Sequence, residues 1–130
     1  MAQQSKSILL VEDDRFLRKA AEATLRRHGF TVRTAADGEE ALQRVRDEAP
    51  DLVLLDLIMP KLQGFEVLRI LKQDPATKQI PVVVLSNLGQ ESDVQQALQS
   101  GAAAYFIKAN LSLQDLVTQV HRVLTGGAVT

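Results

Sequence analysis

Apolar residues are distributed along this chain in two alternating patterns. At 8–11, 52–55, 82–85 and 105–107 they form short unbroken runs, as in strands buried on both faces. Between the runs they recur every three or four positions, as along the inner stripe of a helix. Leu17, Ala20, Ala21, Thr24 and Leu25 mark the first such stripe, which Gly29 stops. Phe30 to Ala35 reads as a further strand, less apolar than the others and so nearer a sheet edge. Asp37, with Glu40 three positions on, has the spacing of a capping box for a helix facing inward through Ala41, Leu42 and Val45 and ended by Pro50. Gly64 opens a third helix through Phe65, Val67, Leu68 and Leu71, and Asp74-Pro75 and Pro81 bracket the next connection. Val94, Ala97 and Leu98 predict a fourth helix closed by Gly101. Ser112 caps a last helix whose stripe is Leu113, Leu116, Val117, Val120 and Leu124. Five strand–helix units in succession predict an α/β fold, a doubly wound five-stranded parallel sheet with five helices on its two faces.

The chain has 130 residues, enough for one domain that buries its own core. The expectation is a single domain over 1–130, with its core at about 7–124 between a short polar N-terminal tail and a glycine-containing C-terminal tail. Hydrophobic residues make up 45% and charged residues 24%, ordinary for a globular protein. A formal net charge of -1 gives no electrostatic reason to expect direct nucleic-acid binding or an anionic membrane. There is no cysteine, which rules out disulfides and thiolate metal sites. The N-terminal residues lack the apolar core of a signal peptide, and no apolar run approaches the length of a membrane span. The expected compartment is the cytoplasm.

Each main run stops at a polar residue. The first runs into Glu12, Asp13 and Asp14, the third strand into Asp56, the fourth into Ser86 and the fifth into Lys108. In a parallel sheet these ends emerge on one edge, where open α/β sheets bind ligands. Carboxylates gathered there raise one another's proton affinity unless a cation intervenes. An all-oxygen donor set suits Mg²⁺ or Mn²⁺. A lysine beside them can grip a phosphoryl oxygen as a point charge, and a serine can donate a hydrogen bond to it. Taken singly, each residue has an ordinary explanation: Asp56 as a loop cap, the acidic triplet as first-turn helix residues, Ser86 as a turn residue, Lys108 as a solvated strand end. The combination and its order carry the signal. His28 and His121 read as helix-end or surface residues.

With Leu10-Val11-Glu12-Asp13-Asp14, Leu54-Leu55-Asp56-Leu57-Ile58-Met59-Pro60 and Gly64, Leu85-Ser86, Gly101-Ala102 and Tyr105-Phe106-Ile107-Lys108, the chain resembles the receiver domain of two-component response regulators from about Ser7 to Leu124. The resemblance implies a flavodoxin-like sheet of strand order 2-1-3-4-5. It implies that Asp56 accepts a phosphoryl group from a phosphohistidine, and that Glu12, Asp13, Asp56 and the backbone carbonyl of Ile58 hold Mg²⁺. It also implies that Ser86 and Lys108 bind the phosphoryl group and that Ser86 and Tyr105 form the switch. The implied partners are a sensor histidine kinase or phosphotransfer protein, a downstream protein target and a phosphorylation-dependent second copy. Such a domain catalyses only its own phosphorylation and dephosphorylation.

Two positions depart from the family pattern. Ala109 follows Lys108 where proline and a cis bond are usual; a non-proline cis bond costs about 2.5–4 kcal/mol, so a cis bond is expected here only as stored strain. Asn87 follows Ser86 where a smaller residue is usual. Ile58 and Leu88, two places beyond Asp56 and Ser86, are apolar and unsuited to orienting water, so slow self-dephosphorylation is expected. A haloacid-dehalogenase-like phosphatase is the enzymatic rival, but it needs a second Asp where this chain has Ile58. A flavodoxin-like cofactor binder, or a receiver that is never phosphorylated, is the binding-module rival. No G-x-G-x-x-G or Walker loop is present, and no member of the acid–lysine set is missing.

Overall fold

The β-branched and leucine-rich runs form β1 (Ser7–Val11), β2 (Thr31–Ala35), β3 (Leu52–Asp56), β4 (Val82–Ser86) and β5 (Ala104–Ile107). They pair in parallel in the order β2-β1-β3-β4-β5, as expected. The computed structural model describes residues 5–57, 63–87 and 90–126. All five residues of the central strand β3 are buried, whereas β2, with fewer apolar residues, lies at an edge.

Because strand side chains alternate between faces, each strand supplies two cores. Leu9, Val11, Val53, Leu55 and Val84 point to one face. There they meet α2 (Gly38–Asp47), α3 (Gly64–Gln73) and Ala97 of α4 (Glu91–Gln99). Ile8, Leu10, Leu52, Leu54 and Val83 meet α1 (Arg15–Arg27) and α5 (Leu113–Leu124) on the other. No helix among the described residues is long and apolar enough to cross a membrane.

Side-chain caps set where the helices begin. Asp14 accepts hydrogen bonds from the N–H groups of Phe16 at 2.9 Å and Leu17 at 3.1 Å. Asp37 accepts from the Glu40 N–H at 2.8 Å, but the Glu40 carboxylate reaches back to the Ala36 N–H rather than to that of Asp37. Ser112 and Asp115 complete a reciprocal capping box on α5. Gly101 ends α4 at φ +108°, a conformation that favours glycine, and the Ala102 N–H then bonds to the Ala97 carbonyl. No cis peptide bond occurs among the described residues, so Lys108-Ala109 is trans.

Several residues assigned to inner stripes are exposed. Ala20, Leu17 at 42%, Leu98 at 46% and Leu113 at 36% relative accessibility all remain open to solvent. Leu17 and Leu113 flank a cleft of about 60 Å³ between the first turns of α1 and α5, floored by Leu10, Leu85 and Leu116. Helical periodicity fixes an angle around the axis. It does not fix whether a neighbour covers that angle at a given turn.

Candidate functional site

Sheet register brings the strand ends level. Val11 pairs with Leu55, Asp56 with Leu85 and Ser86 with Ile107, so Glu12, Asp56, Ser86 and Lys108 leave the sheet along one edge. Lys108 itself begins a 3₁₀ turn over Lys108–Asn110. Glu12 and Asp56 are buried, 5% and 6% accessible, while Asp13 is exposed. One carboxylate oxygen from each of the three lies within 4.8 Å of the others. The Lys108 Nζ stands 2.5 Å from Glu12 Oε1 and 3.2 Å from Asp56 Oδ2.

The acidic triplet divides by role. Asp14 turns away to cap α1, while the second Glu12 oxygen accepts the Asp14 N–H at 3.1 Å. Glu12 and Asp13 are left facing Asp56. Hard oxygen donors this close, two of them buried, fit a small divalent cation. Their charges on Glu12 and Lys108 respond accordingly. Burial, with the Asp56 charge beside it, raises the proton affinity of Glu12 above that of an ordinary glutamate, although hydrogen bonds from Lys108 and Asp14 oppose this. Burial alone would lower the proton affinity of Lys108, but its bond to Glu12 and the charges of Asp56 and Glu12 raise it overall. The asymmetry is physical: one ammonium serves two carboxylates, whereas Glu12 shares its cation with a like charge.

Ser86 is fully buried at the end of β4, and its side chain shares a hydrogen bond with the hydroxyl of the half-buried Tyr105. Burial raises the proton affinity of the Tyr105 phenolate, the Ser86 bond opposes it, and the charges of Asp93 and Asp56 add to it. Tyr105 packs on the core face shared with α2, α3 and α4. Asn87 is exposed beside Ser86. Ile58, expected to offer a carbonyl, and Leu88 lie outside the described residues. The two histidines stand apart from the acids and Lys108: the His28 Nδ1 is 2.9 Å from the Thr24 carbonyl oxygen, and the His121 ring stacks obliquely 5.0 Å from Phe30.

Two further residues shape the site: Gly64, which the sequence marks as a helix start and part of the family motif, and Arg18, which it does not single out. Gly64 lies so close to the end of β3 that a Cβ there would come 2.4 Å from both the Asp56 carbonyl oxygen and the Leu57 Cα. Arg18 donates from Nη1 to the Glu12 carbonyl at 2.8 Å and to that of Asp13 at 3.4 Å. Its position could have been suspected, because long helical side chains lean toward the N-terminus of their helix.

Comparison with known proteins identifies the family and the fold. The family described as "Response regulator receiver domain" matches residues 8–121. The chain is 40% identical over 116 residues to the gliding motility regulatory protein of Myxococcus xanthus, covering 89% of this chain and 15% of that protein. It is 42% identical over 102 residues to the transcriptional regulatory protein AfsQ1 of Streptomyces coelicolor, covering 78% and 44%. It thus spans less than half the length of these curated relatives. Among solved structures, the chemotaxis protein CheY4 of Vibrio cholerae superposes with a TM-score of 0.86 at 28% identity, covering 92% of this chain and 99% of that one.

Proposed function

This chain belongs to the response regulator receiver domains, signalling domains of two-component systems rather than conventional enzymes, and from that premise we propose that it is switched by phosphorylation of Asp56. The phosphoryl donor is a sensor histidine kinase or a phosphotransfer protein. In the transfer, an Asp56 carboxylate oxygen attacks phosphorus in line. The new P–O bond forms as the P–N bond to the donor imidazole breaks, and the departing ring nitrogen keeps that electron pair. Glu12, Asp13 and Asp56, with the carbonyl of Ile58, would hold Mg²⁺ or Mn²⁺. When bound, the cation would offset charge on the phosphoryl oxygens.

Lys108 leaves its pairing with the acids to meet a phosphoryl oxygen, and Ser86 donates to another. Catalysis on this reading is positioning plus electrostatics. Because the Ser86 side chain is bonded to Tyr105, drawing Ser86 toward the phosphoryl group changes what Tyr105 can reach. The added charge, about -1.5 to -2 for a phosphate ester and comparable for an acyl phosphate, is thereby coupled to the α4-β5-α5 surface. That surface would dock the downstream target or a second phosphorylated copy.

The observation that carries this reading is Lys108 within ion-pair reach of both Glu12 and Asp56. The test is incubation with acetyl phosphate and Mg²⁺ followed by intact mass. The expected outcome is the gain of one phosphoryl group, lost in Asp56→Asn and with chelator. An unchanged mass, or the same gain in Asp56→Asn, would refute it.

A further inference from the structure

The exposed acid of the cluster, Asp13, and one of its two buried acids, Glu12, both sit on the short connection between β1 and α1. Where their carboxylates point depends on how that connection is held. Its start is fixed by the Glu12 N–H, which bonds to the Ala35 carbonyl at 3.0 Å. Its far end is fixed by Asp14, which caps α1. Between these anchors, the peptide carbonyls of Glu12 and Asp13 both receive the same guanidinium nitrogen, Nη1 of Arg18, at 2.8 and 3.4 Å. Arg18 is itself tied to the loop through its backbone, since its N–H bonds to the Asp14 carbonyl at 2.9 Å. One residue of the first helical turns therefore clamps the two peptides that carry the acids.

We propose that Arg18 is a positioning residue for the divalent-cation site, holding the carbonyls of Glu12 and Asp13 so that both carboxylates converge with Asp56. The inference rests on the cation-binding reading of the site given above. Two physical effects of Arg18 have opposite signs, and this makes the idea decidable. As a positive charge near the site, Arg18 repels a cation, so removing it would tighten binding. As a clamp, it keeps the donors converged, so removing it would weaken binding. Partners that orient metal ligands typically matter by 10–100-fold in affinity, and the clamp is expected to prevail.

The experiment titrates the full chain with Mn²⁺ and reads free ion by electron paramagnetic resonance, for the parent, Arg18→Met and Arg18→Lys. Arg18→Met keeps the aliphatic stem but has neither charge nor donors; it should bind Mn²⁺ about tenfold or more weaker than the parent. Arg18→Lys keeps the charge with one compact donor group and should recover part of the loss. The Mg²⁺ concentration for half-maximal labelling by acetyl phosphate should rise by the same factor, with less change in the rate at saturating Mg²⁺. Equal or tighter Mn²⁺ binding by Arg18→Met would overturn the proposal. If circular dichroism shows that variant unfolded, Arg18→Lys decides: affinity equal to the parent overturns it, and weaker binding supports it. A parent chain that binds no Mn²⁺ overturns the cation reading and the proposal together, whereas a binding parent with an unaffected Met variant overturns the proposal alone.

Discussion

Residue by residue, the site depends on small differences among similar groups. Glu12, Asp13 and Asp14 are adjacent acids, yet the third caps a helix and the first two face Asp56, because the chain turns sharply between β1 and α1. Gly64 shows how little room surrounds Asp56. Its missing side chain lets the start of α3 lie against the backbone of Asp56 and Leu57, and both blocking atoms belong to backbone, which cannot rotate away. Gly64→Ala should therefore displace the end of β3 as well as lower stability. We expect it to reduce both the acetyl phosphate labelling rate and the urea midpoint. A normal labelling rate in a folded Gly64→Ala protein would show that the close approach has no bearing on the phosphorylation proposed for Asp56.

At the scale of elements, hydrogen-bonding caps and coverage decide what periodicity leaves open. The Ser112–Asp115 box begins α5 immediately after the 3₁₀ turn that starts at Lys108. Ser112→Ala removes the acceptor for the Asp115 N–H and should cost about 1 kcal/mol in urea denaturation. A loss indistinguishable from zero would mean that solvent replaces the cap fully. Leu17 and Leu113 are exposed for a related reason. Each lies on the apolar side of its helix, but their turns border a cleft instead of another helix. Leu98 is likewise open on α4, where Ala97 is the one buried residue.

For the molecule as a whole, the carboxylate cluster makes stability depend on pH. Glu12 binds its proton more tightly folded than unfolded. The stabilisation this provides is fully present below the ordinary glutamate range and is lost as pH rises through the raised folded value. Ionising Glu12 therefore costs the metal-free protein more when folded than when unfolded. Glu12→Gln should raise the metal-free urea midpoint at pH 7, and the gap to the parent should narrow toward pH 4.5; a gap independent of pH would contradict this. Divalent cation should reverse the order. By mass action, Mg²⁺ at 100 times its dissociation constant adds about 2.7 kcal/mol to the parent, and Glu12→Gln should gain far less. Lys108 has the same sign at the other end of the scale. Its contribution is complete below the ordinary lysine range and fades as pH rises through its elevated value.

The unbroken runs ending at 11, 55, 85 and 107, the helical stripes between them and the polar residue after each run were all present in the linear chain. They sufficed for a parallel α/β sheet and for the set Glu12, Asp13, Asp56, Ser86 and Lys108, because burial on both faces forces strands to be continuously apolar and ends that apolar character where the sheet ends. Sequence also gave Asp37 and Ser112 as caps, since capping is local. It could not divide the acidic triplet between a helix cap and a carboxylate cluster, place Arg18 over the carbonyls of Glu12 and Asp13, or reveal the 2.4 Å approach behind Gly64. Nor could it tell which turns of α1, α4 and α5 a neighbour covers. Those outcomes depend on distances between segments far apart in the chain or on the direction of a turn, and only packing of the complete sheet and helices sets them.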